Sequence, residues 1–315
     1  EKIMASTSGL STFNLDFNDI VEEAYERAGL EVRTGYEFRT ARRSFNMLTI
    51  EWANRGINLW TIEQGQFVMN TGQGVYALPS TTIDLLDQVI RTQATTPNQI
   101  DINISRISES TYSTLPNKLA QGRPIQVWIN RQSNESYLST ATVAATVLST
   151  DTTITLSSTV SLPATGFITI DTETIYYANV SGNQLLNCYR GQYNGVANTT
   201  AAGHAIGATV TVNNLTSVNV WPTPNAPGDQ YVFVYWRMRR MQDAGNGVNV
   251  QDIPFRLIPC VVAGLAYYIG SKRPDVPMER IVMLKAAYEE QWMLASQEDR
   301  EKAPDRYVPR QSFYR

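Results

Sequence analysis

Apolar positions in the first sixty residues recur at steps of three and four, and this spacing predicts two helices that each end in glycine. Phe17, Ile20, Val21, Ala24 and Ala28 share one face of a helix from about Asn18 to Ala28, with Asp16 or Asn18 as cap and Gly29 as stop. Phe38, Ala41, Phe45, Leu48 and Trp52 form a second seam after a short Gly35 link, and so brief a link predicts antiparallel neighbours whose stripes bury each other. Gly56 suits the left-handed residue just past a helix end, and Ile57, Leu59 and Trp60 carry apolar side chains out of that turn. The turn is the expected handover from helices to a β part.

Beyond Trp60 the period falls to two. Phe67 to Asn70 and Val75 to Leu78 flank Gly72 and Gly74 as a hairpin would, and Leu85 to Gln93 and Ile125 to Arg131 alternate as strands. Val218 to Trp221 and Tyr231 to Met238 resume that pattern, with Pro222, Pro224 and Pro227 in the turn between them. Between them, from Ser133 to Leu215, only Glu135, Asp151, Asp171, Glu173 and Arg190 are charged, while Ser, Thr and Asn dominate. The β-branched and aromatic residues of this stretch predict a folded all-β module, with short strands at Thr153 to Leu156, Phe167 to Ile170, Thr174 to Tyr177 and Ala208 to Val212. The module reads as an insertion into a hairpin, since its removal joins Ile125 to Arg131 with Val218 to Trp221 in one meander.

Helical spacing returns at the C-terminal end. Pro254 is placed to open a helix through Cys260, Val261, Leu265 and Ile269, although Pro259 calls for a kink or a late start. Asp275 and Pro277 open a long helix with Ile281, Leu284, Tyr288, Trp292 and Ala295 on one face. After Ala303 the periodicity stops, and Arg306, Tyr307, Arg310, Phe313, Tyr314 and Arg315 make an aromatic and basic tail with no core of its own. The whole predicts an α+β protein: a helical bundle from N- and C-terminal helices, a β-meander part and an inserted all-β module.

Composition narrows the chemistry. The balance of 26 Lys plus Arg against 29 Asp plus Glu lacks the basic excess of a dedicated DNA binder. The longest apolar run, Cys260 to Ile269, is too short to cross a bilayer, and the N-terminus lacks a charged-then-apolar signal pattern, so a soluble protein made in the cytosol, without membrane contact, is expected. Met4 is a candidate natural start. Cys188 and Cys260 have no CxxC spacing and read as buried thiols. With His204 as the single histidine, metal sites and Ser/His/Asp or Cys/His nucleophile systems all depend on one residue, and neither a cofactor nor a metal nor enzymatic activity is expected.

Three stretches carry a resemblance. They are IVEEAYERAGL with RTARRSFNMLTIEWANRGINLW; STLPNKLAQGRPIQVWINRQ continued by VNVWPTPNAPGDQYVFVYWRMRRMQD; and DIPFRLIPCVVAGLAYYI with the helix ending EEQWMLASQEDREKAP. In this order they resemble the head-to-tail adaptor proteins of short-tailed bacteriophages, also called head-completion, packaged-DNA-stabilising or tail-tubular A proteins. The resemblance implies a virion protein forming a ring, commonly of twelve copies, between the portal protein and the tail nozzle or tail fibres, made in the host cytoplasm and traversed by DNA without sequence specificity. It implies an adaptor core at residues 1–132 with 216–304, an inserted module at 133–215, and an extended docking arm at 305–315 that reaches the portal through Arg306, Tyr307, Arg310, Phe313, Tyr314 and Arg315. The module stretch from Leu162 to Val212 is similar to a small β module of phage structural proteins.

The remaining candidates are basic. Arg39, Arg42 and Arg43 fit a solvated or intersubunit helix face, or contacts to DNA phosphates. Arg237 and Arg239 alternate to one side of their strand and Arg240 to the other, which suits intersubunit salt bridges or plain exposure. His204 suits a structural loop hydrogen bond better than a lone base. Two other classes stay open: a tail-associated peptidoglycan hydrolase with a pair of carboxylates, and a glycan-binding or fibre-docking β protein.

Overall fold

A computed structural model describes residues 12–56, 59–226, 228–245 and 248–300. Mixed helices and sheets make the chain an α+β protein, and it divides into two compact units, residues 1–61 with 241–315 and residues 62–240.

The helical unit holds α1 (Phe17–Ala28) and α2 (Gly35–Arg55). Asp16 accepts from the Asp19 amide while Asp19 returns the bond, a capping box that satisfies the first orphan donors of α1. The same box between Thr34 and Glu37 starts α2 earlier than its apolar seam does, which places Gly35 inside the helix. Both helices stop at glycines in the left-handed region, Gly29 at φ 76° and Gly56 at φ 91°. A short helix, α3 (Glu109–Ser113), belongs to the β unit. The late start after Pro254 is realised: one 3-10 turn, Phe255–Leu257, precedes α4 (Ile258–Gly270), with Pro259 in its first turn where no amide is needed. Pro277 then caps α5 (Met278–Glu298).

Nearly all of α4 is buried, and α1, α2 and α5 pack around it. The seams of α1 and α2 touch through Phe17 and Phe45, whose rings meet edge to face at 5.6 Å, yet the main partner of each is α4 rather than the other. At the crossing, a Cβ on Gly264 would lie 2.9 Å from both Leu48 of α2 and Tyr288 of α5, so only glycine lets the three helices approach this closely. Trp52 is fully buried there; its indole N–H donates to the Tyr288 hydroxyl at 3.1 Å and its ring meets Trp292 edge to face.

In the β unit, strands β1 (Ile62–Met69), β2 (Val75–Ala77), β3 (Thr82–Thr92), β4 (Ile100–Asn103), β5 (Ser105–Arg106), β6 (Gln121–Gly122) and β7 (Gln126–Asn130) precede the insertion. The insertion carries β8 (Ser136–Thr142), β9 (Thr153–Thr155), β10 (Gly166–Ile170), β11 (Glu173–Ser181), β12 (Gln184–Tyr189) and β13 (Thr209–Asn213). After it come β14 (Ser217–Trp221), β15 (Thr223–Pro224) and β16 (Gly228–Arg239). The flanking strands β7 and β14 pair antiparallel along their whole length, from Asn130 with Ser217 to Gln126 with Trp221. The inserted strands form their own six-stranded sheet, ordered β8-β13-β10-β11-β12-β9, over a core that includes Ile154, Ile168, Ile175, Tyr177 and Val210.

The hairpin expected around Gly72 and Gly74 is absent. Its two arms join different sheets, β1 beside β16 and β2 beside β14, in the orders β1-β16-β3-β4 and β2-β14-β7-β5. These sheets share one core of Met69, Tyr76, Leu85, Val127, Val218 and Phe233, which makes a sandwich out of the outer strands. Local alternation cannot distinguish the two arrangements, because both leave every side chain on the same face of its strand.

Candidate functional site

The cationic candidates fall into three different surroundings. Arg39, Arg42 and Arg43 are exposed on α2 and make no ion pair or hydrogen bond among the described residues. Partial burial, and after it the charge of Arg43, pushes the Lys272 ammonium below its ordinary value; the Lys272 Nζ donates to Ser44 Oγ at 2.8 Å. The carboxylate at this end of α2, Glu37, is taken up by Arg273 and by the amides of Arg33 and Thr34.

Arg237 and Arg239 of β16 sit in the opposite condition. Both reach Glu63 on the neighbouring strand β1, one to each carboxylate oxygen, and Arg237 also donates to the hydroxyls of Thr81 and Thr82. Their guanidinium groups are mostly buried and held within the chain. Arg240 lies past the strand end, exposed, its amide donating to the Thr81 carbonyl at 2.7 Å. Arg306, Tyr307, Arg310, Phe313, Tyr314 and Arg315, with Ile57 and Pro227, lie outside the described residues.

His204 is buried in a polar cluster of the inserted module. Its Nδ1 lies 2.8 Å from Asp171 and its Nε2 2.9 Å from Glu173. The guanidinium of Arg190 grips the same Glu173 through both carboxylate oxygens at 2.9 and 2.7 Å, and also donates to the carbonyls of Leu148, Asp151 and Ala202. Amides of Gly191 and Ala202 complete the shell of Glu173, each at 2.9 Å. Burial by itself raises this carboxyl, but the Arg190, Ala202, Gly191 and His204 hydrogen bonds outweigh it and hold Glu173 below the usual carboxylate range. With every acceptor site filled, the cluster is built to hold loops together. Its members are scattered from Asp151 to His204, and the one signal in the chain was the scarcity of charge around them.

A cleft of about 700 Å³ opens in the β unit, lined by Phe67, Tyr76, Tyr235, Arg91, Gln192 and Tyr193 among others. Its polar walls are largely engaged: Arg91 pairs with Asp101, and Gln192 accepts from Gln73 at 2.8 Å. Cys188 and Cys260 are both buried, and burial pushes each thiol up to about 12, away from nucleophilic use near neutral pH. Among the described residues, no group of three or more His, Cys, Asp or Glu side chains could hold a metal ion, and no helix is long and apolar enough to cross a membrane.

The helices present one further surface. On α2, the side opposite the buried seam carries Tyr36, Arg39, Arg43, Met47 and Ile50; on α5, the side opposite Leu284 and Tyr288 carries Val282, Met283, Met293 and Leu294 with Glu279 and Glu290. No protein-family model matches the chain, and no curated protein matches it significantly.

Proposed function

We propose that this chain is a virion structural protein of a short-tailed bacteriophage, assembled as a dodecameric ring between the portal and the tail. It closes the DNA-filled capsid, leaves a channel for DNA and gives the tail nozzle or fibres a docking surface. It acts by binding and carries out no reaction.

The observation that carries this reading is the way three distant stretches combine. The helices of both chain ends close one bundle on α4, and the middle stretch forms a strand pair, β7 with β14, that is split by a module with its own sheet. These are the stretches whose order resembles the head-to-tail adaptors. A bundle that leaves apolar and charged helix faces in solvent suits a subunit that assembles further. The segment 305–315 is assigned to the portal, since aromatic and arginine side chains are enriched at protein interfaces.

Purified chain mixed with its cognate portal ring and imaged by electron microscopy is expected to add a second ring at the portal's tail-facing end. Failure to bind the portal under any condition would sink the reading. Deleting residues 305–315 is expected to weaken that binding while leaving the circular dichroism spectrum unchanged; undiminished affinity would remove the arm's role.

A further inference from the structure

The outward faces of α2 and α5 match each other. On α2, Tyr36, Arg39, Arg43, Met47 and Ile50 follow at steps of three and four, which makes a single stripe opposite the buried seam. Met47 and Ile50 are 52% and 50% exposed, and the arginines are unpaired among the described residues. On α5, Glu279, Val282, Met283, Ala286, Glu290, Met293 and Leu294 line the side away from α4. Val282, Met283, Met293 and Leu294 are 59%, 68%, 60% and 56% exposed, and neither Glu279 nor Glu290 has an ion-pair partner among the described residues.

Each stripe mixes exposed apolar residues with charge of one sign: arginines between Tyr36 and Met47 on α2, and glutamates on either side of Val282 and Met283 on α5. A helix of a solitary domain places polar residues on its outer side, so two such stripes in one bundle are a liability unless covered. Pairing like with like gains no opposite charge here: α2 against α2 offers only arginines, and α5 against α5 only glutamates. The acidic outer side of α1, with Asp19, Glu22 and Glu26, has charge but no apolar residues to bury.

We infer that the α2 stripe of one copy docks on the α5 stripe of the next. Because the two patches differ, the contact is heterologous, and repeating it generates a ring or a filament rather than a closed pair. The inference rests on the ring reading above and specifies its subunit interface; the occupant is a second copy of this chain, chosen by opposite charge and by the exposed apolar residues that both stripes carry.

Crosslinking of the full chain tests the pairing. Met47→Cys and Met283→Cys proteins are each incubated alone and then mixed, at high concentration and on the portal ring. The native thiols Cys188 and Cys260 are buried and stay silent. Disulfide dimers are expected only in the mixture, and a chain carrying both substitutions is expected to give a ladder of multimers. Dimers of Met47→Cys alone, or of Met283→Cys alone, would overturn the pairing in favour of a symmetric contact.

Charge reversal supplies an independent measurement. Arg39→Glu with Arg43→Glu, or Glu279→Arg with Glu290→Arg, should each abolish species above monomer in native mass spectrometry, and mixing the two variants should restore assemblies in which they alternate, because every contact between unlike copies again pairs opposite charges. Rings that survive both reversals would overturn the interface while leaving the ring reading intact. A wild-type chain that stays monomeric even on the portal would overturn both. A monomer whose Met283→Cys thiol resists labelling until residues 301–315 are removed would assign the α5 stripe to the chain's own C-terminal segment and end the pairing.

Discussion

The helical unit and the inserted module solve the same problem with different means. In the first, order comes from apolar contact: α4 is buried almost throughout, Trp52 fills the crossing, and Gly264 lets α2 and α5 close on it. Its charges lie on outer faces and at helix ends. In the module, which is poor in charge, Glu173, Arg190 and His204 meet at one buried point, with the largely exposed Asp171 at Nδ1 of His204 and Asp151 joining through its main-chain carbonyl. A low density of charge therefore does not mean that charge is unimportant. Glu173 and Arg190 fasten the β11 start to the loops holding Leu148, Asp151, Gly191 and Ala202, which the module's strands leave outside the sheet.

The comparison breaks cleanly if each region is damaged by its own kind of change. Glu173→Ala leaves Arg190 buried without its carboxylate and strips two amides and His204 of an acceptor. Removing one partner of a buried ion pair costs roughly 3–5 kcal/mol. Trp52→Ala removes a buried indole for a comparable cost of about 3–5 kcal/mol. One buried thiol reports on each region, Cys188 in the module and Cys260 in the helical unit. Thiol labelling at neutral pH, read by mass spectrometry, is expected to rise at Cys188 alone in the first variant and at Cys260 alone in the second. A rise at both thiols in either variant would show that the two regions open as one.

How far this contrast could be read from the chain depends on distance along it. The seams of α1, α2 and α5 were legible because helical contacts repeat within a few residues, and the buried positions Ala24, Phe45, Leu48, Trp52, Leu284 and Tyr288 are those the spacing selects. The start of α2 was less so, since its capping box lies ahead of the seam. Strands were legible one by one, but Phe67 and Val75, only eight residues apart, belong to different sheets because partners from beyond residue 215 claim each arm. For the same reason the Glu173 cluster was out of reach: its members span more than fifty residues, and only folding makes them neighbours. Arg237 and Arg239 looked free in sequence for want of sight of Glu63.

A smaller change sharpens the packing side. Gly264→Ala puts a methyl group 2.9 Å from carbon atoms of Leu48 and Tyr288, inside van der Waals contact, so the helices must separate slightly. Overpacking of this kind costs about 1–3 kcal/mol. Thermal exposure of the Cys260 thiol, read by labelling along a temperature ramp, is expected to shift downward, with Cys188 protection unchanged. An unshifted transition would mean that the crossing has slack and that apolar closeness is not what orders the bundle.

The smallest effect separates the two regions by pH. Glu173 is held below the usual carboxylate range, so it binds a proton less readily folded than unfolded. Its contribution is then complete above the unfolded value of about 4.3 and is lost as pH falls through the lower folded value. Glu37 shifts the same way, through the amides of Arg33 and Thr34 and the nearby Arg273, and it too weakens on acidification. The difference lies in what protonation leaves behind. At Glu37, itself buried, it leaves Arg273, which is 32% exposed and can be answered by water, whereas at Glu173 it leaves Arg190, which is 8% exposed, in a site nearly closed to water. Stepwise acidification from pH 6 to 3.5, followed by amide resonances, is therefore expected to broaden the module's signals around Gly191 and Ala202 before those of α2. If α2 yields first, the buried ion cluster is not the weaker point, and the module is held chiefly by its apolar core, as the helical unit is.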